Sequence, residues 1–391
     1  MKLELSDMLA NAKADPPPLR YSVEDAIAAG RKRQRRLRAA WAGAGSAAVV
    51  VAVAAAIAVP QVIPDRRPVG PAPVAPAASP VPTRRVSSFE YPADEYTGNI
   101  ASFTAGNLTV TGTVHMTPSY QVAVVVAQGR GTPIEDENGT THQMPNDVGN
   151  LVVYRAGVFD PAQFKSGEPV TINGAPGYYQ APVAVKPTAT NPKFPIQARQ
   201  INPAMAWEYA ANAWAVVSTN ANAEITKQQL IAVAGKLTPG TPAPVKVGFR
   251  LSYVPAGFNL AAAGTSDNNL LSPLDGESYV RLLKGDFPYK GLTAPAQDPF
   301  VMGKKQLPLI QIAVYPKWYS KYVATRGEPV SAAFCGAESL CYRVTADGQY
   351  DVEINGGGAV PDAELLKMLK MLKFADPADP GTWFTATDVI R

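Results

Sequence analysis

Along the chain, apolar and polar positions fall into three regimes. From Ala39 to Val59, "AAWAGAGSAAVVVAVAAAIAV" runs for 21 residues with no charge and Ser46 as its one strongly polar side chain. As a helix at about 1.5 Å per residue it reaches roughly 31 Å, enough to cross a bilayer core. Pro60 stops it. Residues 60–85 hold eight prolines and no periodic apolar face, the pattern of a stiff polyproline-type spacer. From residue 86 onward the pattern changes to short alternating runs punctuated by Gly, Pro and Asn, which predict strands, together with two amphipathic helices.

The first helix is predicted in "EITKQQLIAVAGKL", with Thr226 three residues before Gln229 as a capping box and Leu230, Ile231, Val233, Ala234 and Leu237 on one face. The second is predicted in "PDAELLKMLKMLKF", with Leu365, Leu369 and Leu372 at i, i+4 and i+7; Pro239 and Pro377 mark the stops. "CYRVT", Asp347-Gly348 and "QYDVEI" read as a hairpin with Tyr350, Val352 and Ile354 on one face, and "MAWEYA" with "WAVVST" reads as a second pair. Strands followed by one helix predict an α+β fold, an antiparallel sheet covered on one face by a C-terminal amphipathic helix.

That sequence of elements occurs twice. "GEPV" stands at 167–170 and again at 327–330; an exact tetrapeptide match arises by chance about half the time in a chain of this length. However, "LVVY" ends at Tyr154, 13 residues before the first copy, and "IAVY" ends at Tyr315, 12 before the second. Agreement within one residue lowers the coincidence below about one per cent. The expected organisation is a stub at 1–38, a transmembrane helix at 39–59, a linker at 60–85, and two tandem similar outer domains at 86–240 and 245–378. A tail follows at 379–391, and "TPGTPAP" at 238–244 is read as the joint between the domains.

Charge orients the span. Six basic residues crowd positions 31–38, and behind the span only Arg66 and Arg67 lie close, so the positive-inside bias puts the N-terminus in the cytoplasm and everything after residue 60 outside. Ser22 and Asp25 in "SVED" offer a start for a helix leading into the span. The competing reading is a cleaved signal peptide ending at "AIA", 56–58. The net charge of +4 is carried by residues 1–38, with nine Lys/Arg against five Asp/Glu, leaving 27 of each sign in the rest. The outer part therefore has no basic excess for phosphates, which argues against nucleic acid.

Candidate chemistry is sparse. Cys335 and Cys341, the chain's two cysteines, predict a disulfide closing a short loop and stabilising by roughly 2.4 kcal/mol in the chain-entropy model. A metal site would need further ligands, and the two histidines, His115 and His142, lie in the other repeat. Both read as ordinary surface or core imidazoles. No nucleophile elbow, zinc-protease motif or phosphate loop is present, so no catalytic residue, metal or cofactor is assigned. "EDENGTTHQMPND", 135–147, lacks the ligand spacing of a calcium loop and reads as a solvated turn; Lys367, Lys370 and Lys373 read as the wet face of the last helix. Trp207, Trp214, Trp318 and Tyr319 are the aromatics expected to line a ligand cleft between the copies. Two inserts, 185–204 and 264–303, are loops of the length at which binding often resides.

A short stub, an Arg block, one Ala/Val-rich span, a proline stalk and an outer domain together resemble the single-pass envelope proteins of high-GC actinobacteria, including regulators of the anti-sigma-factor kind. "LSYVPAGF" at 251–258 resembles the Tyr-x-Pro-x-Gly-Phe opening of a domain on the outer side of such proteins. Residues 1–38 depart from the zinc-binding anti-sigma pattern in having neither His nor Cys. The expected function is that of a non-enzymatic membrane protein whose extracytoplasmic tandem domain binds or senses an envelope ligand or protein. A cytoplasmic partner is expected at residues 1–30, where Leu3, Leu5, Met8 and Leu9 form an apolar side. The alternatives are a static envelope module, or a secreted binding protein after cleavage.

Overall fold

The structure is a computed structural model. It describes residues 89–390 except 130, 137–138, 186–198, 220–223, 267–273, 287–290, 293–300, 303–304, 307, 320–332 and 337–338. The stub, the apolar segment 39–59, the proline-rich linker and the second "GEPV" lie outside the described residues. Among those described, no helix is long and apolar enough to cross a membrane.

In the first half the strands are β1 (Thr97–Ile100), β2 (Phe103–Ala105), β3 (Leu108–Val110), β4 (His115–Met116), β5 (Tyr120–Ala127), β6 (Thr132–Glu135), β7 (Thr141–Met144), β8 (Asp147–Tyr154), β9 (Glu168–Ile172), β10 (Ala175–Gln180), β11 (Ala204–Ala210) and β12 (Ala213–Thr219). Helix α1 (Lys227–Gly235) and β13 (Pro239–Pro244) close it. In the second half come β14 (Phe249–Leu251), β15 (Phe258–Gly264), β16 (Ser278–Lys284), β17 (Leu309–Pro316), β18 (Phe334–Cys335), β19 (Leu340–Val344) and β20 (Tyr350–Asn355), then α2 (Asp362–Met371) and β21 (Leu372–Phe374).

An antiparallel sheet runs β18-β19-β20-β17-β16-β15-β4-β5-β8-β12-β11-β10-β9, with β3 also paired to β5 and β2 to β3. Read outward from the centre, the order is β5-β8-β12-β11-β10 on one side and β16-β17-β20-β19-β18 on the other. In each, the helix follows the third strand. In each, the strand after the helix pairs antiparallel with the strand that opens the half, β13 with β1 and β21 with β14. The two halves thus have the same strand order; Tyr154 is the last residue of β8 and Tyr315 the last but one of β17. The sheet does not stop between them: β4 pairs with β15.

Period-two alternation explains the layering. On one face, Leu151, Val153, Trp207 and Val217 pack on Leu230 and Val233 of α1, while Ile312, Val352 and Ile354 pack on Leu365 and Leu369 of α2. The opposite face carries a third apolar cluster drawn from both halves, including Tyr120, Tyr154, Trp214, Tyr279 and Tyr315, with Phe159, Phe164 and Leu292 from loops above it. We call these the helix face and the loop face.

Two segments differ from their sequence reading. "TPGTPAP" supplies all of β13, whose prolines are accommodated because it has one partner strand and needs few ladder donors. The expected tail is tied back: Phe384 and Thr385 pair with Val247 and Lys246, and Ile390 bridges to Leu251.

Candidate functional site

At the seam, β4 and β15 join through His115 opposite Gly264 and Met116 opposite Ala263, reinforced by the Thr265 amide donating to Val114 O at 2.9 Å. One register row crosses the seam as Val122, His115, Gly264 and Tyr279. Gly264 is required there: a Cβ would stand 2.2 Å from Val114 O and 2.8 Å from Tyr279 Cε1. The space it leaves lets the Tyr279 hydroxyl hydrogen-bond His115 Nδ1. The imidazole lies between the rings of Tyr120 and Tyr279, at 5.6 and 5.7 Å between centroids. It is fully buried, and Nε2 has no hydrogen-bond partner among the described residues. Burial first, and the Arg281 charge second, hold its pKa well below the ordinary histidine range, so it is neutral.

From the seam an aromatic chain extends over the first half. Tyr120 meets Tyr154 (5.6 Å), Tyr154 meets Phe159 (4.6 Å), and Phe159 meets Trp214 (6.4 Å). In this half the loop face has one apolar row, Val122, Val152, Val216 and Ala206, and beside it the row Val124, Asn150, Ser218 and Ala204, in which the Asn150 amide is fully buried.

The equivalent row in the second half is Tyr279, Ala313, Glu353 and Tyr342, and the next is Arg281, Gln311, Asn355 and Leu340. Arg281 Nε donates to Gln311 Oε1 at 3.1 Å. Asp351 stands opposite Tyr315, in the row on the other side of Glu353. Arg281, Gln311, Asp351, Glu353 and Tyr342 are all half-buried and Asn355 is exposed. The same sheet face therefore carries a valine and alanine row beside Asn150 and Ser218 in one half, and guanidinium, amide, carboxylate and phenol in the other. Such a set supplies donors and acceptors together, suited to holding a polar ligand; the nucleophile and base pairing of a hydrolase is not among these groups.

The hairpin β6–β7 reaches across to the second half. His142 Nε2 lies 3.0 Å from Asp136 Oδ2, and the imidazole stacks on Trp318 at 4.2 Å with a 5° interplanar angle. The "solvated turn" of the sequence reading is thus a hairpin that bridges the halves.

Cys335 and Cys341 form a disulfide between facing positions of β18 and β19, close to Asp362 at the start of α2. With both sulfurs in the bond, no thiolate is left to bind metal. Of the four aromatics expected in a cleft, Trp214, Trp318 and Tyr319 belong to the loop face. Trp207 stands on the helix face. Trp214 and Tyr319 are each 8% exposed, so they are packed core, and Trp318 is the half-exposed one. The polar rows escaped the sequence reading, although "SYVRLLK" and "LIQIAVYP" signal them by setting Arg281 and Gln311 at alternate positions of otherwise apolar strands.

No family model matches the chain, and a search of curated proteins returns no match.

Proposed function

We propose that the protein is a non-enzymatic binding or sensing module made of two tandem copies of one domain. In this reading it is held outside the membrane by the 39–59 span, with its N-terminus in the cytoplasm. The duplication is supported by the identical strand order of the halves and by the equivalent helices and return strands. The binding reading is carried by one observation: the two central rows of the loop face have Asn150 and Ser218 as their polar members in the first half, whereas in the second half they bring together Arg281, Gln311, Glu353, Asn355 and Tyr342. The ligand it suits is an envelope molecule or protein segment offering both hydrogen-bond donors and acceptors.

The test is retention of material from the cell envelope by the purified protein. Glu353→Ala and Tyr342→Ala should each reduce it at least tenfold with unfolding midpoints unchanged, whereas Lys370→Ala on the exposed face of α2 should not. Equal retention by all the variants, or equal loss in all of them, supports a static module instead.

A further inference from the structure

The sheet joins its two halves through the short β4–β15 ladder, and that ladder carries a buried imidazole. Other ties cross between the halves: the Tyr96 hydroxyl donates to Leu260 O at 2.7 Å, Phe159 bridges to Leu292, and His142 stacks on Trp318. We propose that His115 makes the β4–β15 seam acid-labile, so that proton uptake by this side chain opens the junction between the two halves.

The geometry gives the reason. Neutral His115 has one engaged nitrogen, Nδ1, and one nitrogen without a partner among the described residues. As a cation it would carry its charge in a fully buried site where Nε2 has no partner among the described residues and the neighbouring charge that acts on it is the cation Arg281. From β5 the site receives Tyr120 and Val122, and from β15 Ala263 and Gly264, none of them charged. The turn after β4 brings the hydroxyls of Thr117 and Ser119. From β16 come Tyr279 and Arg281, a second cation, and just before it stands Glu277, whose carboxylate accepts the Leu274 amide at 3.0 Å. Once the seam opens, the imidazole meets water and takes its proton at the ordinary value of 6.5.

The sign follows from linkage. The open state binds a proton that the closed state refuses, so the seam is fully closed above pH 6.5 and weakens as pH falls below it. For one proton the open-to-closed ratio rises about tenfold per pH unit. This goes beyond the binding reading and does not depend on it, since it concerns the seam and not the polar rows.

Hydrogen exchange of the purified full-length chain at pH 7 and pH 5, corrected for intrinsic rates, tests it. Amides at 114–116 and 263–265 should lose protection about 30-fold between the two, while amides at 151–154 and 215–217 keep theirs. The chain has two histidines, so the source can be assigned: His142→Gln should behave as wild type and His115→Gln should abolish the loss. The proposal is overturned by seam protection that is independent of pH, by uniform loss across the sheet, or by a loss that survives His115→Gln. If that variant does not fold, the imidazole resonance of His115 in wild type decides. It must titrate in step with seam opening, and titration at 6.5 with the seam still protected would overturn the idea.

Discussion

Gly264 shows how much one missing methyl can do. It faces His115 across the seam and carries the Tyr279 ring over itself, with backbone and ring atoms inside 3 Å of where a Cβ would sit. Gly264→Ala should therefore destabilise by about 1–3 kcal/mol, read as a lower denaturant midpoint at an unchanged slope. A midpoint equal to wild type would mean the seam relaxes freely. Gln121 illustrates the polar counterpart: its Oε1 accepts from the Asn99 amide (2.9 Å) and the Thr113 hydroxyl (2.8 Å), and its Nε2 donates to Asn99 Oδ1 (2.8 Å). At this scale the sequence is least informative. A histidine in an apolar run reads as a core residue, and nothing local says that the run is the junction of two halves. Trp207 and Trp214 are seven positions apart on neighbouring strands, and strand parity alone puts them on opposite faces.

Elements were more legible, because their signals are local. The Thr226–Gln229 capping box is present with both bonds made, and Leu230, Val233 and Ala234 are buried as the periodicity predicts. Thr226→Ala should cost about 1 kcal/mol by chemical denaturation; no loss would show that the end of α1 is held by packing alone. Helix α2 has no such side-chain cap and begins after Pro361. The Asp347-Gly348 turn is where the sequence puts it, with Gly348 at φ 73°, although Thr345 and Gln349 join the loop, both bonded to Asp347 Oδ1. The misreadings share a cause. Residues 238–244 look like a joint and 379–391 like a tail, yet each pairs with a partner more than 100 residues away, beyond the reach of any local window.

For the molecule as a whole, pairing across the seam and the Tyr96 ring within the second half's core predict that the halves unfold together. At pH 7, calorimetry of the folded body should give one transition with matching calorimetric and van't Hoff enthalpies. Two resolved transitions would show that each half is its own cooperative unit. Strands with few helices were readable from periodicity, and the mostly β body is loosely compatible with the α+β class. That one sheet runs through both halves was not, since edge pairing leaves no mark on composition.

The central claim is that this two-half body works outside the membrane, and the chain carries its own reporter. Cys335 and Cys341 are its two cysteines and are bonded to each other. Cytoplasmic thiols are kept reduced, whereas the envelope permits disulfides. The direct measurement is mass spectrometry of the chain taken from cells quenched in a thiol-alkylating agent under denaturing conditions without reductant. The account predicts a chain that retains Met1 and carries no alkyl group, gaining two only after reduction. Two alkyl groups without reduction would place the body in the cytoplasm and contradict it.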